Sequence, residues 1–86
     1  MAYSIKVSTK AEKDLMLIPL KDRGKISQKI DELALEPRPD GCLNLKGRSQ
    51  TLWRVRSGNY RILYAVDDQV RIVDVRRVGD RKDIYN

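Results

Sequence analysis

Histidine is absent from these 86 residues, and with it goes the side chain that most often moves protons in catalysis at neutral pH. Glutamate occurs only at positions 12, 32 and 36, all within predicted helices. One cysteine, Cys42, excludes an internal disulfide and suits a reducing, cytoplasmic setting, where it is expected to serve as a small apolar filler. One cysteine and scattered aspartates make no cluster with metal-ligand character, so no metal and no cofactor are expected. The serines lack a histidine partner, and no glycine-rich phosphate loop is present. No apolar run nears the ~18–20 residues of a membrane span. The opening stretch MAYSIKVSTK lacks the apolar centre of a signal peptide. Repeats and low-complexity segments are missing as well. An enzyme built from this chain must act by charge and positioning on a substrate that is already reactive.

Charge is abundant and unevenly placed. Residues 1–45 carry 8 basic and 7 acidic side chains and residues 46–86 carry 10 and 5, so most of the net +6 lies in the C-terminal half. All but two of the basic residues there are arginines. The arginine fork matches phosphate and stacks on bases, which favours a nucleic-acid partner.

The length suits one domain spanning residues 1–86, without room for a second core. Tyr3–Ser8 alternates as a strand does. Thr9-Lys10-Ala11-Glu12 fits a capping box that opens a helix striped by Ala11, Leu15 and Ile18, ended by Pro19. A second helix from about Asp22 places Ile26, Ile30, Leu33 and Ala34 on one face, and Glu36-Pro37-Arg38-Pro39-Asp40-Gly41 stops it. Strands follow at Cys42–Lys46, Leu52–Ser57, Tyr60–Val66 and Val70–Arg77. The expected fold is α+β: an N-terminal strand, a two-helix hairpin, then a four-strand antiparallel meander with the helices on one face.

The most informative segment is Leu52–Tyr64, LWRVRSGNYRILY. Two alternating runs flank Gly58-Asn59, a dipeptide suited to a two-residue turn with positive φ at the glycine. That turn sets Ser57 against Tyr60, Arg56 against Arg61, Val55 against Ile62 and Trp53 against Tyr64. Arg54, Arg56 and Arg61 then share one face with Leu63, while Trp53, Val55, Ile62 and Tyr64 take the core face. Like charges directly across a strand pair destabilise it, so the fold gains nothing from this arrangement. An anion, phosphate above all, explains it. If Asp68-Gln69 is the next turn, Arg76 lands beside Arg61 and Asp74 beside Leu63, with Val73 and Val75 in the core. A three-residue loop would reverse that register.

RNA is a substrate that suits such chemistry, because its 2′-hydroxyl attacks the adjacent phosphate when the developing charge is stabilised. Tyr60 or Tyr85 offers a ring for base stacking. Lys46 is the one nearby group whose pKa burial and neighbouring cations can lower toward a base, since arginine stays protonated. Arg71, Arg76 and Arg77 fit a general electrostatic footprint, with Asp74 a salt-bridge partner. Asp80 and Asp83 offer Arg81 a local ion pair.

Leu45-Lys46-Gly47, then Leu52-Trp53-Arg54-Val55-Arg56, then Gly58 to Tyr64, then Val78-Gly79-Asp80-Arg81-Lys82-Asp83-Ile84-Tyr85, in this order, resemble the RelE/ParE toxin superfamily. The likeness runs nearly end to end and is most specific over residues 43–85. Resemblance to its RelE branch implies the toxin of a type II toxin–antitoxin system. Such a toxin is an endoribonuclease that cuts messenger RNA in the ribosomal decoding site. It further implies catalytic roles for Arg54, Arg61, Arg81 and Tyr85. Lys46, Arg56, Arg76, Arg77 and Lys82 would be phosphate contacts, and a small RelB-like antitoxin the partner. Two positions depart from the family's pattern. Asp80 stands where many relatives carry a histidine before the late arginine, and Leu52 where some carry a lysine. Two other activities remain open on the same features: a ParE-like inhibitor of DNA gyrase, and a basic RNA-binding relative without chemistry.

Overall fold

The computed structural model describes residues 2–46 and 51–80. Its elements run β1 (Ser4–Val7), α1 (Thr9–Met16), α2 (Leu20–Leu33), β2 (Leu43–Lys46), β3 (Thr51–Ser57), β4 (Tyr60–Asp67) and β5 (Ile72–Gly79). The strands form one sheet in the order β1-β5-β4-β3-β2. β2 to β5 are the expected antiparallel meander, while β1 adds to it in parallel beside β5, Ile5 opposite Val73 and Val7 opposite Val75. The α+β architecture is therefore as the sequence pattern indicates, with the first strand closing one edge.

Both helices pack on one face of the sheet. Ala11, Ile18, Ile26, Ile30 and Leu33 meet Val55, Ile62, Tyr64, Val73, Val75 and Val78 there. Burial of apolar surface contributes roughly 25 cal/mol per Å², so this layer is the main source of stability. Tyr64 is wholly buried, and its hydroxyl donates to the Pro37 carbonyl at 2.6 Å. That bond ties the chain after α2 to the middle of the sheet. Burial pushes the Tyr64 phenol well above its ordinary value. A second tie lies nearer the surface, where Asp68 accepts from both Arg38 nitrogens and from the Tyr3 hydroxyl. The Arg38 and Tyr3 hydrogen bonds hold the Asp68 carboxyl below the usual range. Arg38 also lies over the Trp53 ring, 5.1 Å from its centroid.

Several local expectations change. Ser8, not Thr9, caps α1: its hydroxyl accepts from the Ala11 N–H at 3.1 Å and donates to the Arg76 carbonyl at 2.9 Å. A residue at that place serves the helix and β5 together, which Thr9 inside the helix cannot do. α2 begins at Leu20, two residues before the expected start, with Pro19 as its N-cap. Proline tolerates the edge of a helix because the first N–H groups lack partners anyway.

The larger correction concerns β4 and β5. Their connection is four residues, 68–71, rather than a two-residue turn at Asp68-Gln69. Asp67 accepts from the N–H groups of Gln69 and Val70, and Arg71 closes the loop at φ 57°. The side-chain cap stabilises a wider loop than apolar alternation alone suggests. Arg61 consequently faces Gly79, Leu63 faces Arg77 and Ala65 faces Asp74, so Arg76 does not stand beside Arg61. A bulge between Leu63 and Tyr64 shifts the parity once, and this lets Val73, Val75 and Val78 all enter the core.

Replacing Tyr64 by Phe removes the hydroxyl and leaves the buried Pro37 carbonyl unpaired. Stability measured by urea denaturation is expected to fall by about 1–3 kcal/mol, with an unchanged dependence on denaturant.

Candidate phosphate-binding site

The hairpin that builds the site depends on one backbone conformation. Gly58 takes φ 61°, the left-handed region open to glycine at little cost, and Asn59 completes a two-residue loop. The ladder is the one expected: Ser57 against Tyr60, Arg56 against Arg61, Val55 against Ile62, Arg54 against Leu63 and Trp53 against Tyr64. Val55, Ile62 and Tyr64 are in the core, so Arg54, Arg56 and Arg61 occupy the face turned away from the helices.

Arg61 is the best-positioned of the three. One terminal nitrogen of its guanidinium donates to the Asp80 carbonyl at 3.0 Å. Its Nε is buried without a hydrogen-bond partner among the described residues. A buried donor left unmatched costs about 1–3 kcal/mol, and an anion in the adjoining hollow is one acceptor able to offset it. Arg56, Gly58, Asn59, Arg61 and Asp80 line a hollow of about 350 Å³. A second hollow of about 350 Å³ lies where β2 begins, lined by Lys29, Asp40, Gly41, Leu43, Arg54, Val55 and Arg56. Arg56 belongs to both and joins them. A larger hollow, about 630 Å³, opens at the other end of β4 and β5 among Lys6, Asp67, Asp68 and Asp74. Its carboxylates repel an anion, so it is not part of this site.

Other basic residues divide differently. Arg77 pairs with Asp14 of α1 at 2.8 Å, and Asp14 also accepts from the Val78 N–H. Arg76 pairs with Asp74 at 3.3 Å, the partner expected for it. Both arginines thus have carboxylate partners, and among the described residues Arg56 and Arg61 have none. Lys46 faces Thr51 at the end of β2 remote from Arg54, which faces Leu43. Arg81, Lys82 and Tyr85 lie outside the described residues. Sequence reasoning gave no role here to the Asp80 carbonyl that aims Arg61, to Lys29 that lines the second hollow, or to Asp14 that pairs with Arg77. Each acts across a long stretch of chain, and a backbone carbonyl leaves no trace in residue identity.

Tyr60 borders the arginines from the opposite face. Its hydroxyl donates to Asp22 at 3.4 Å. Burial, with the nearby charges of Asp22 and Asp80, raises its phenol above the ordinary value. It therefore stays protonated at neutral pH and is available as a donor, not as a base.

A sequence model described as the ParE toxin of type II toxin–antitoxin systems, parDE, matches residues 5–85. Toxin RelG of Mycobacterium tuberculosis is 31% identical over 86 residues, covering 99% of this chain and 98% of that protein. The toxin–antitoxin complex RelBE2 of the same organism superimposes with a TM-score of 0.83 at 27% identity, covering 94% of this chain and 100% of that one. The archaeal RelE–RelB complex of Pyrococcus horikoshii OT3 gives 0.82 at 26% identity, covering 95% and 98%.

Spectrophotometric titration of Tyr60, with the other three tyrosines replaced in turn to assign it, is expected to place its pKa above 10. Asp22→Asn should lower it part of the way, because burial contributes more than the Asp22 charge. Its raised value favours the fold below pH 10, and that contribution is lost as the pH climbs through the folded-state value.

Proposed function

The chain belongs to the ParE toxin family of type II toxin–antitoxin systems, and from that premise we propose that it is an endoribonuclease that cleaves messenger RNA on the ribosome. The observation that carries this reading is the facing pair Arg56–Arg61 beside a 350 Å³ hollow, with Arg61 aimed by the Asp80 carbonyl. Relatives named RelG and RelE support it over an activity that needs no phosphate site.

In the proposed step the 2′-oxygen bonds to the adjacent phosphorus and the P–O5′ bond breaks. A 2′,3′-cyclic phosphate and a free 5′-hydroxyl result, the proton passing in net from the 2′-oxygen to the 5′-oxygen. The reaction balances without an added ion. Arg61 and Arg54 stabilise the charge that builds on the phosphate, each such contact typically giving ~10²–10³ in rate. Arg56 binds the neighbouring phosphate. The resemblance adds Arg81 as a second clamp on the scissile phosphate and Tyr85 as the residue that orients the nucleotide. Lys46 and Lys82 extend the basic track, while Arg76 and Arg77, already paired with carboxylates, supply long-range attraction only. With no histidine in the chain, the ribosome's grip on the message supplies much of the alignment that proton transfer needs. A small RelB-like antitoxin is the proposed partner, as in the complexes of the similar toxins.

The family model's ParE description favours a second activity, inhibition of DNA gyrase, and one set of proteins separates the two. Primer extension on translated messenger RNA should show new ends within codons for the native chain. Arg61→Ala should reduce them at least 100-fold and Arg54→Ala by about 10–100-fold, while Arg76→Ala stays within a few-fold. No new ends, together with lost supercoiling in a gyrase assay, would transfer the protein to the second activity.

A further inference from the structure

The edge of β5 changes its partner partway along. Up to Val75 it is covered by β1, whose ladder ends with Val7 opposite Val75. Beyond that point side chains of α1 and its N-cap take over. The Ser8 hydroxyl donates to the Arg76 carbonyl at 2.9 Å, and the Asp14 carboxylate accepts from the Val78 N–H at 2.9 Å. A strand needs such partners once its neighbour has stopped, because buried backbone groups must be matched. Asp14 suits the task. Its side chain is only 16% exposed. The oxygen that takes the Val78 N–H also takes Arg77 Nε at 2.8 Å, and its other oxygen takes a terminal nitrogen of Arg77 at 3.3 Å. A backbone N–H bound to an ionised carboxylate makes one of the stronger hydrogen bonds available to a protein.

This stretch of β5 needs the hold. Its ladder with β4 steps from Leu63–Arg77 to Tyr64–Val75 and gives Arg76 no counterpart, an irregularity that bends a strand and disrupts its pairing. Two residues past Val78, about 7 Å farther along the chain, stands the Asp80 carbonyl that accepts from Arg61. Gly79 between them is the residue opposite Arg61, and it has no side chain to pack against either layer. We propose that Asp14 is a positioning residue. By gripping the Val78 N–H it sets where the Asp80 carbonyl stands, and through that carbonyl where the Arg61 guanidinium points. Asp14 belongs to α1, on the face of the sheet opposite the arginines, so it acts through β5 and not on the substrate. Its charge cannot be the reason for its place, since a carboxylate by itself opposes the approach of an anion. A misplacement of about 1 Å arising far from the chemistry can cost ~100-fold in rate. The consequence for cleavage rests on the ribonuclease reading; the consequence for Arg61 does not.

The test uses the isotope-labelled full chain and reads the Arg61 Nε–H resonance by NMR, assigned by its loss in Arg61→Lys. Asp14→Ala should shift that resonance and speed its exchange with water about tenfold or more. Asp14→Asn, whose amide oxygen still takes the Val78 N–H, should keep it near its native position. Arg77→Ala removes the ion pair but not the Val78 contact, and should also leave it in place; this arm and the asparagine arm decide the matter even where Asp14→Ala does not fold. In cleavage of translated messenger RNA, Asp14→Ala should lower kcat by about 10–100-fold with KM within about threefold, and Asp14→Asn should return kcat to within about threefold of native. Equal loss in the alanine and asparagine variants would give the role to the Arg77 ion pair and overturn the proposal. So would a gain of rate in both, the sign expected for a bare negative charge removed, or an Arg61 resonance that Asp14→Ala leaves unmoved. A native chain that cuts no RNA, with the Arg61 resonance still moved by Asp14→Ala, would end the ribonuclease reading and support the positioning role.

Discussion

The site depends on the parity of the β3–β4 ladder. Side chains alternate strictly along a strand, so one residue of slip would drive Arg54, Arg56 and Arg61 into the core and turn Val55, Ile62 and Tyr64 outward. Desolvating even one guanidinium without a partner costs several kcal/mol. The Gly58 turn and the apolar trio therefore enforce the same register from two sides. The arginines are held close together not by mutual attraction but because their neighbours must be buried. That is how a domain this small supports a concentration of like charge.

The same logic sorts the positive residues into two populations. Arg76 and Arg77 have carboxylates at 3.3 and 2.8 Å, and Arg38 is claimed by Asp68 and Trp53. These arginines tie loops and helix α1 to the sheet. Arg61 instead bonds a neutral carbonyl, which fixes its direction without cancelling its charge. Among the described residues Arg61 has no ion pair, so in the proposed site a phosphate would meet a cation already positioned. Net charge says little about which arginines can do this; the identity of the acceptor says more.

What could be read from residues alone follows the range of the interactions involved. The hairpin was legible because its signals, the Gly-Asn turn and the period-two alternation, are local and agree with each other. The helices and the core face were legible for the same reason. The β4–β5 register was not, because a carboxylate cap from Asp67, a left-handed Arg71 and a bulge act together, and none of them disturbs the apolar pattern. Asp14 gripping Arg77 and the Val78 N–H across 63 and 64 residues leaves no mark that a one-dimensional reading can find. Among the candidate residues, the facing pair Arg56 and Arg61 was placed correctly, while Arg76 was displaced by the longer loop.

The hold on Arg61 by the carbonyl of Asp80, rather than by its carboxylate, bears on how this toxin can diverge. The contact is made by the main chain, so it does not itself depend on the side chain at position 80. A deletion or insertion between Arg77 and Asp80, by contrast, would move the carbonyl while leaving every neighbouring residue type intact. Spacing beyond the end of β5 is therefore what sets where this carbonyl stands.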